Sequence, residues 1–147
     1  MTAPLPESTV LVAEDNPVDL FLIRSAAQKL SSGVRFEFVG DGEEVVSYLN
    51  GVGEFADRGA HPYPVLILTH VHLRKLNGFE VLSWIRLQPK HATTRVVMWS
   101  DLELPGELSK AKHAGAECIM RRPIGIEALT KSLAEIIQML GQTGIRQ

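Results

Sequence analysis

The chain is short of almost everything that would commit it to an unusual environment. It has one cysteine, Cys118, in 147 residues, so no internal disulfide can form and no second thiol is at hand for a thiolate zinc site. Cys118 therefore reads as a small core residue. No apolar run approaches the length of a bilayer span, and Met1-Thr2-Ala3-Pro4-Leu5-Pro6 lacks a basic region followed by an apolar one. Neither membrane insertion nor secretion is encoded there, and a cytoplasmic location is expected. Charge of one sign is lacking too: a formal net charge of -2 gives no overall pull towards nucleic acid. The basic cluster of Lys110, Lys112, His113, Arg121 and Arg122 reads as a solvated face, with no direct nucleic-acid binding. The sequence has no GxxxxGK(S/T) or GxGxxG stretch and no serine nucleophile elbow, which leaves nucleotide binding and hydrolase chemistry without support; no enzyme activity is expected.

What the chain does have is a regular alternation of short apolar runs and helical stripes. At its centre, residues 65–68 form an uninterrupted aliphatic run, too short for a helix, that reads as a strand buried on both faces. The run ends in polar chemistry and enters a loop closing on Asn77-Gly78. Such a strand delivers its last side chains to the carboxyl edge of an α/β sheet, where sites of these folds lie, and the residue delivered is His70.

The rest of the chain frames that strand. Residues 9–13 form a first strand; Asn16-Pro17 supply a helix N-cap and a proline at the first helical position, which puts Glu14 and Asp15 in the turn. The helix places Leu20, Ile23, Ala27 and Leu30 on one face and ends at Ser31-Ser32-Gly33. Residues 34–39 alternate Val34, Phe36 and Phe38 with Arg35 and Glu37, as an edge strand does. Asp41 with Glu44 reads as a capping box. The stretch from Gly51 to Pro64 is a loop, read as a surface insertion rather than a lid. Phe79, Leu82 and Ile85 mark a third helix, 95–99 a fourth strand stopping at Ser100, 105–114 a short helix closed by Gly115, and 117–121 a fifth strand before Arg122-Pro123. The last helix carries Ile126, Leu129, Leu133, Ile136 and Leu140 on one face. Five strands alternating with five helices specify one α/β domain with a doubly wound, mostly parallel sheet covered on both sides. The domain spans 9–141, between a disordered tail at 1–8 and a second tail at 142–147.

Val10-Leu11-Val12-Ala13-Glu14-Asp15-Asn16-Pro17, the 73–78 loop, Ser100, and Gly115-Ala116 leading to Arg122-Pro123 carry a family resemblance. Over residues 9–140 the chain resembles the receiver domain of bacterial two-component response regulators. The Asp41-Gly42-Glu43-Glu44 start, the insertion ending at Pro64 and the long last helix are most similar to single-domain regulators that pair with phytochrome-type histidine kinases. The resemblance implies a flavodoxin-like (βα)5 fold and a phosphorelay from a kinase histidine to a receiver aspartate. In that family Mg²⁺ is held by an acidic pair and the acceptor, while a lysine and a hydroxyl take the phosphoryl oxygens. Carried over, Glu14 and Asp15 match the acidic pair and Ser100 the switch hydroxyl. The acceptor position is His70 and the lysine position is Arg122. The aromatic switch position is Ile119, and Arg74 stands where a proline is expected.

An imidazole has no carboxylate oxygen to form an acyl phosphate and does not offer Mg²⁺ the hard oxygen it prefers. The expectation is an atypical receiver that needs no cofactor and acts by phosphorylation-independent binding of a protein, either a histidine kinase or another signalling protein. The alternatives use the same cleft: a metal site made from His70, Asp15 and Glu14, with His72, or phosphorylation of another residue. Arg122, permanently charged, is expected to grip Asp15 and replace both metal and lysine; otherwise it points to solvent. A homodimer through 105–140 is also expected, because Ile137 and Met139 lie beyond the stripe of the last helix and would be left exposed in a monomer.

Overall fold

A computed structural model describes residues 8–30, 32–101 and 105–141. The expected tails, and Ser31 of the first helix stop, fall outside these residues, apart from Ser8. The elements alternate as read: β1 Thr9–Ala13, α1 Pro17–Gln28, β2 Arg35–Val39, α2 Gly42–Asn50, β3 Leu66–His70, α3 Gly78–Leu87, β4 Arg95–Ser100, α4 Pro105–Ala114, β5 Cys118–Arg121 and α5 Ile126–Gly141. The strands form one parallel sheet in the order β2-β1-β3-β4-β5, the flavodoxin-like order, in which the direction of winding reverses between β1 and β3.

Strand parity builds two cores. Val10 and Val12 of β1, Leu66 and Leu68 of β3, and Val97 and Trp99 of β4 pack with Ile23 and Ala26 of α1 and Leu129, Leu133 and Ile136 of α5. Leu11, Ile67, Val96 and Met98 point the other way, into a cluster with Val45, Leu49, Leu82, Ile85 and Ala111 from α2, α3 and α4. Successive residues of a strand face opposite sides, so each central strand must be apolar throughout. That is why 65–68 reads as a continuous run, although Val65 itself is exposed and the strand begins at Leu66.

Local signals hold with small shifts. The Asn16 side chain accepts from the amides of Val18 and Asp19, and Pro17 opens α1. The helix stops at Gln28, so Leu30 packs on the core from beyond its end. At α2, Asp41 caps the amide of Glu44, but the Glu44 carboxylate accepts from Gly40 N–H, one residue before the expected partner. A complete capping box does occur at α3, between Asn77 and Glu80. The 51–64 insertion includes a 3-10 turn, Gly53–Phe55, whose Phe55 is buried against Tyr48 and His61. Arg58 ties it down through the carbonyls of Leu49 and His61. The insertion leads into the amino end of β3, the edge of the sheet away from His70.

Candidate functional site

The same parity that divides the core also sorts the polar residues at the carboxyl edge. The register Val12↔Leu68, Ala13↔Thr69, carried one step further, sets Glu14 beside His70 on the side of α1 and α5. Asp101 continues the series Val97, Trp99, and Arg122 continues Cys118, Met120, so both reach the same side. Ser100, in phase with Val96 and Met98, points to the α4 side.

His70 is the last residue of β3 and is 7% exposed. Its Nε2 lies 3.2 Å from Asp101 Oδ1. Its Nδ1 is 3.0 Å from the His72 carbonyl oxygen and 3.3 Å from the His72 amide nitrogen, so it either donates to the first or accepts from the second. Asp101 is close enough to attract a charged ring, although its oxygen lies outside hydrogen-bond geometry with the buried Nε2. Burial pulls its pKa down, but the His72 carbonyl, the Glu14 carboxylate and Asp101 together hold it above the ordinary value. Glu14 is 2% exposed and one of its oxygens has no hydrogen-bond partner. Burial raises its pKa, against the Asn16 amide and the attraction of His70.

Arg122 does not grip Asp15, and it does not point to solvent either. Its Nη1 is 3.0 Å from Asp19 and its Nε 2.9 Å from Asp101. Asp15 turns instead to the loop after β3, accepting the Arg74 amide at 2.9 Å with the Arg74 guanidinium at 3.8 Å. The reason is position: Asp15 lies in the turn before α1, against the loop after β3, whereas Asp19 stands in the first turn of α1 within reach of Arg122. Asp101 is thus shared by His70 and Arg122, which hold its carboxyl below the usual range against the upward pull of burial. Ser100 donates its hydroxyl to Glu107 of α4, and the second Glu107 oxygen is 3.7 Å from His72 Nε2.

The cleft between these groups, about 340 Å³, is lined by Glu14, Asp15, Asp19, His70, His72, Arg74 and Asp101 among others. Among the described residues, no three His, Cys, Asp or Glu side chains are gathered closely enough to hold a metal ion. The metal centre of His70, Asp15, Glu14 and His72 is therefore not assembled: the His70 nitrogens face Asp101 and the His72 carbonyl, and Asp15 is engaged by Arg74. Asp19, Asp101 and Glu107 complete the site without having been singled out in the sequence, and Arg74, noted there only as standing where a proline is expected, joins them. The signals were there for two of them: Asp101 keeps the two-residue phase of β4, and Asp19 lies four residues after Asp15.

A family model described as "Response regulator receiver domain" matches residues 10–134. The chain is 27% identical over 127 residues to the "Probable methanogenesis regulatory protein FilR2" of Methanothrix harundinacea, covering 86% of this chain and 79% of that one. Among solved structures it is similar to the response regulator RPA3017 in red light signaling of R. palustris, with 28% identity, a TM-score of 0.80 and coverage of 88% and 90%. It is similar also to the phosphorylated cyanobacterial phytochrome response regulator RcpA, with 25% identity, a TM-score of 0.76 and coverage of 93% of each chain.

Proposed function

The chain belongs to the response regulator receiver domain family of two-component signalling, and on that premise we propose that it is a receiver that works without phosphorylation, by binding a partner protein. The observation that carries this reading is the buried His70 ring at the end of β3, its Nε2 3.2 Å from Asp101 and its Nδ1 3.0 Å from the His72 carbonyl. A buried imidazole in the acceptor position supplies neither the oxygen nucleophile of an acyl phosphate nor an anionic ligand for Mg²⁺. The donor set does not fit Mg²⁺: a histidine ring stands where the third oxygen ligand would, and Arg122 already neutralises Asp19 and Asp101. No phosphoryl step is therefore written for this cleft, and no cofactor or catalysis is part of the reading.

Incubation with acetyl phosphate and Mg²⁺, followed by intact-mass measurement, tests it. The expected mass is that of the unmodified chain; stoichiometric addition of phosphate at any residue sinks the reading. The proposed partner is a histidine kinase of the phytochrome type or another signalling protein, met in the cytoplasm. Among the described residues no helix is long and apolar enough to cross a membrane. We also propose constitutive self-association through residues 105–140, on a changed basis. Met139 packs against the core and Ile137 is half-buried, so the apolar surplus expected from α5 does not exist. The exposed large apolar side chains of 105–140, among the described residues, are Leu108 of α4 and Ile124 before α5, and Leu108 is the one on a helix.

A further inference from the structure

Helix α4 is held to the molecule by little apolar surface. Of its side chains from 106 to 114, Ala111 is buried, Glu107 and Ala114 are half-buried, and the others are exposed. Lys110 adds a contact over the Phe79 ring at 4.5 Å. By contrast α5 buries Leu129, Ser132, Leu133 and Ile136. A helix of which one alanine alone is buried among the described side chains belongs to the part of a structure that opens locally at small cost unless a polar contact holds it.

Such a contact exists at the first turn. The Glu107 carboxylate takes the hydroxyl of Ser100, at the end of β4, and lies 3.7 Å from the His72 ring in the loop after β3. Ser100 is 3% exposed, and the Glu107 side chain is 16% exposed, so water competes poorly for either. The position suits a carboxylate, since the amino end of a helix favours negative charge. A single side chain thereby joins α4, β4 and the loop that follows the His70 strand.

We propose that Glu107 is a latch: its carboxylate, held by the Ser100 hydroxyl, keeps α4 closed on the carboxyl edge, and its release is the conformational change this receiver retains. The proposal rests on the reading that the cleft is not phosphorylated, because no phosphoryl group then draws the Ser100 hydroxyl away from Glu107 and α4 is governed from within the chain. The face carrying Leu108 is presented in one orientation until a partner or a substitution breaks the contact.

Amide hydrogen exchange followed by mass spectrometry on the full chain tests the latch. Glu107→Ala and Ser100→Ala are each expected to speed exchange in α4 peptides by about tenfold, the scale of one charge-assisted hydrogen bond. Exchange in α1 and α5 should not change. Because the two residues act through one contact, the double variant should be no faster than either single. Glu107→Gln, which keeps an acceptor for Ser100, should fall between wild type and Glu107→Ala. Unchanged α4 exchange in the single variants overturns the latch, as does multiplication of their effects in the double variant, or faster exchange spread evenly over every helix. Acetyl phosphate with Mg²⁺, added to wild type in the same series, keeps the two readings apart. Phosphate incorporation there counts against phosphorylation-independence, while the substitution cycle still decides the latch.

Discussion

His70 faces an oxygen with each ring nitrogen, and this gives the fold a pH dependence of definite sign. Its folded pKa is raised from the ordinary 6.5, so its contribution to stability is complete below 6.5 and is lost as the pH rises through the folded value. Glu14, also raised, acts in the same direction at lower pH. His91, buried beneath Tyr63 and Trp84, is opposite: burial, with Lys90 and Arg58 nearby, lowers its pKa, so it weakens the fold as the pH falls below 6.5. The alkaline side therefore reports on His70 alone of the two histidines. Urea midpoints should fall from pH 6.5 upward in wild type, and that fall should be absent in His70→Gln; an identical profile in both rules out the imidazolium. Asp101→Asn removes the partner of both His70 and Arg122. In that variant the His70 ring, followed by proton NMR, should titrate at lower pH than in wild type, and an unmoved titration would show that the 3.2 Å contact carries no energy.

Between elements, the tightest contact that positions the site is the meeting of α2 with the loop after β3. Gly42 donates its amide to the Arg74 carbonyl, and a Cβ there would fall 2.0 Å from the Leu76 carbonyl oxygen. Glycine is required at this point by close approach rather than by a left-handed backbone. The strained residue is Lys75, at φ 71°, held by its ammonium 3.5 Å from Asp41. Gly42→Ala should cost about 3 kcal/mol, at the upper end for overpacking against backbone. Asn77→Ala, which deletes the cap of α3, should cost about 1 kcal/mol. Urea denaturation measures both, and the order matters: a cap loss larger than the Gly42 substitution would mean that the loop yields easily. Sequence pattern made the existence of these helices plain, because N-cap residues and apolar spacing act locally. It could not tell which glutamate closes its box, since Glu44 and Glu80 occupy the same spacing and differ only in how the chain enters the helix.

For the whole molecule the open question is what covers the α4 face. Leu108 is 46% exposed, while Ile137 and Met139 are not, because α5 packs along α1 as well as on the sheet and buries a wider stripe than one sheet contact needs. Sedimentation at micromolar concentration should show a dimer that is insensitive to phosphodonor and Mg²⁺. Leu108→Glu should weaken it at least tenfold, the scale of one buried leucine. A monomer throughout, or a dimer untouched by Leu108→Glu, removes self-association through 105–140 from the reading.

The sequence by itself determined the alternation of strands and helices, the doubly wound sheet, and the delivery of His70 and Ser100 to its carboxyl edge. Each of these follows from periodicity and end signals within a few residues of one another. It also determined that the residue delivered by β3 is a histidine and not a carboxylate, a matter of residue identity. The partners of the charged groups were decided only in three dimensions. Arg122 could reach Asp15, Asp19 or Asp101 as far as its sequence position goes, and strand phase together with the rise of α1 gave it the last two. His70 and Ser100, adjacent at the strand ends, were sent to opposite faces of the sheet by a single step of parity. That step made one cleft into a network of His70, Asp101 and Arg122 on the α1 and α5 side and a separate carboxylate contact on the α4 side. Ion pairs depend on distances of a few ångströms between residues far apart in the chain, and only the packed sheet fixes those distances.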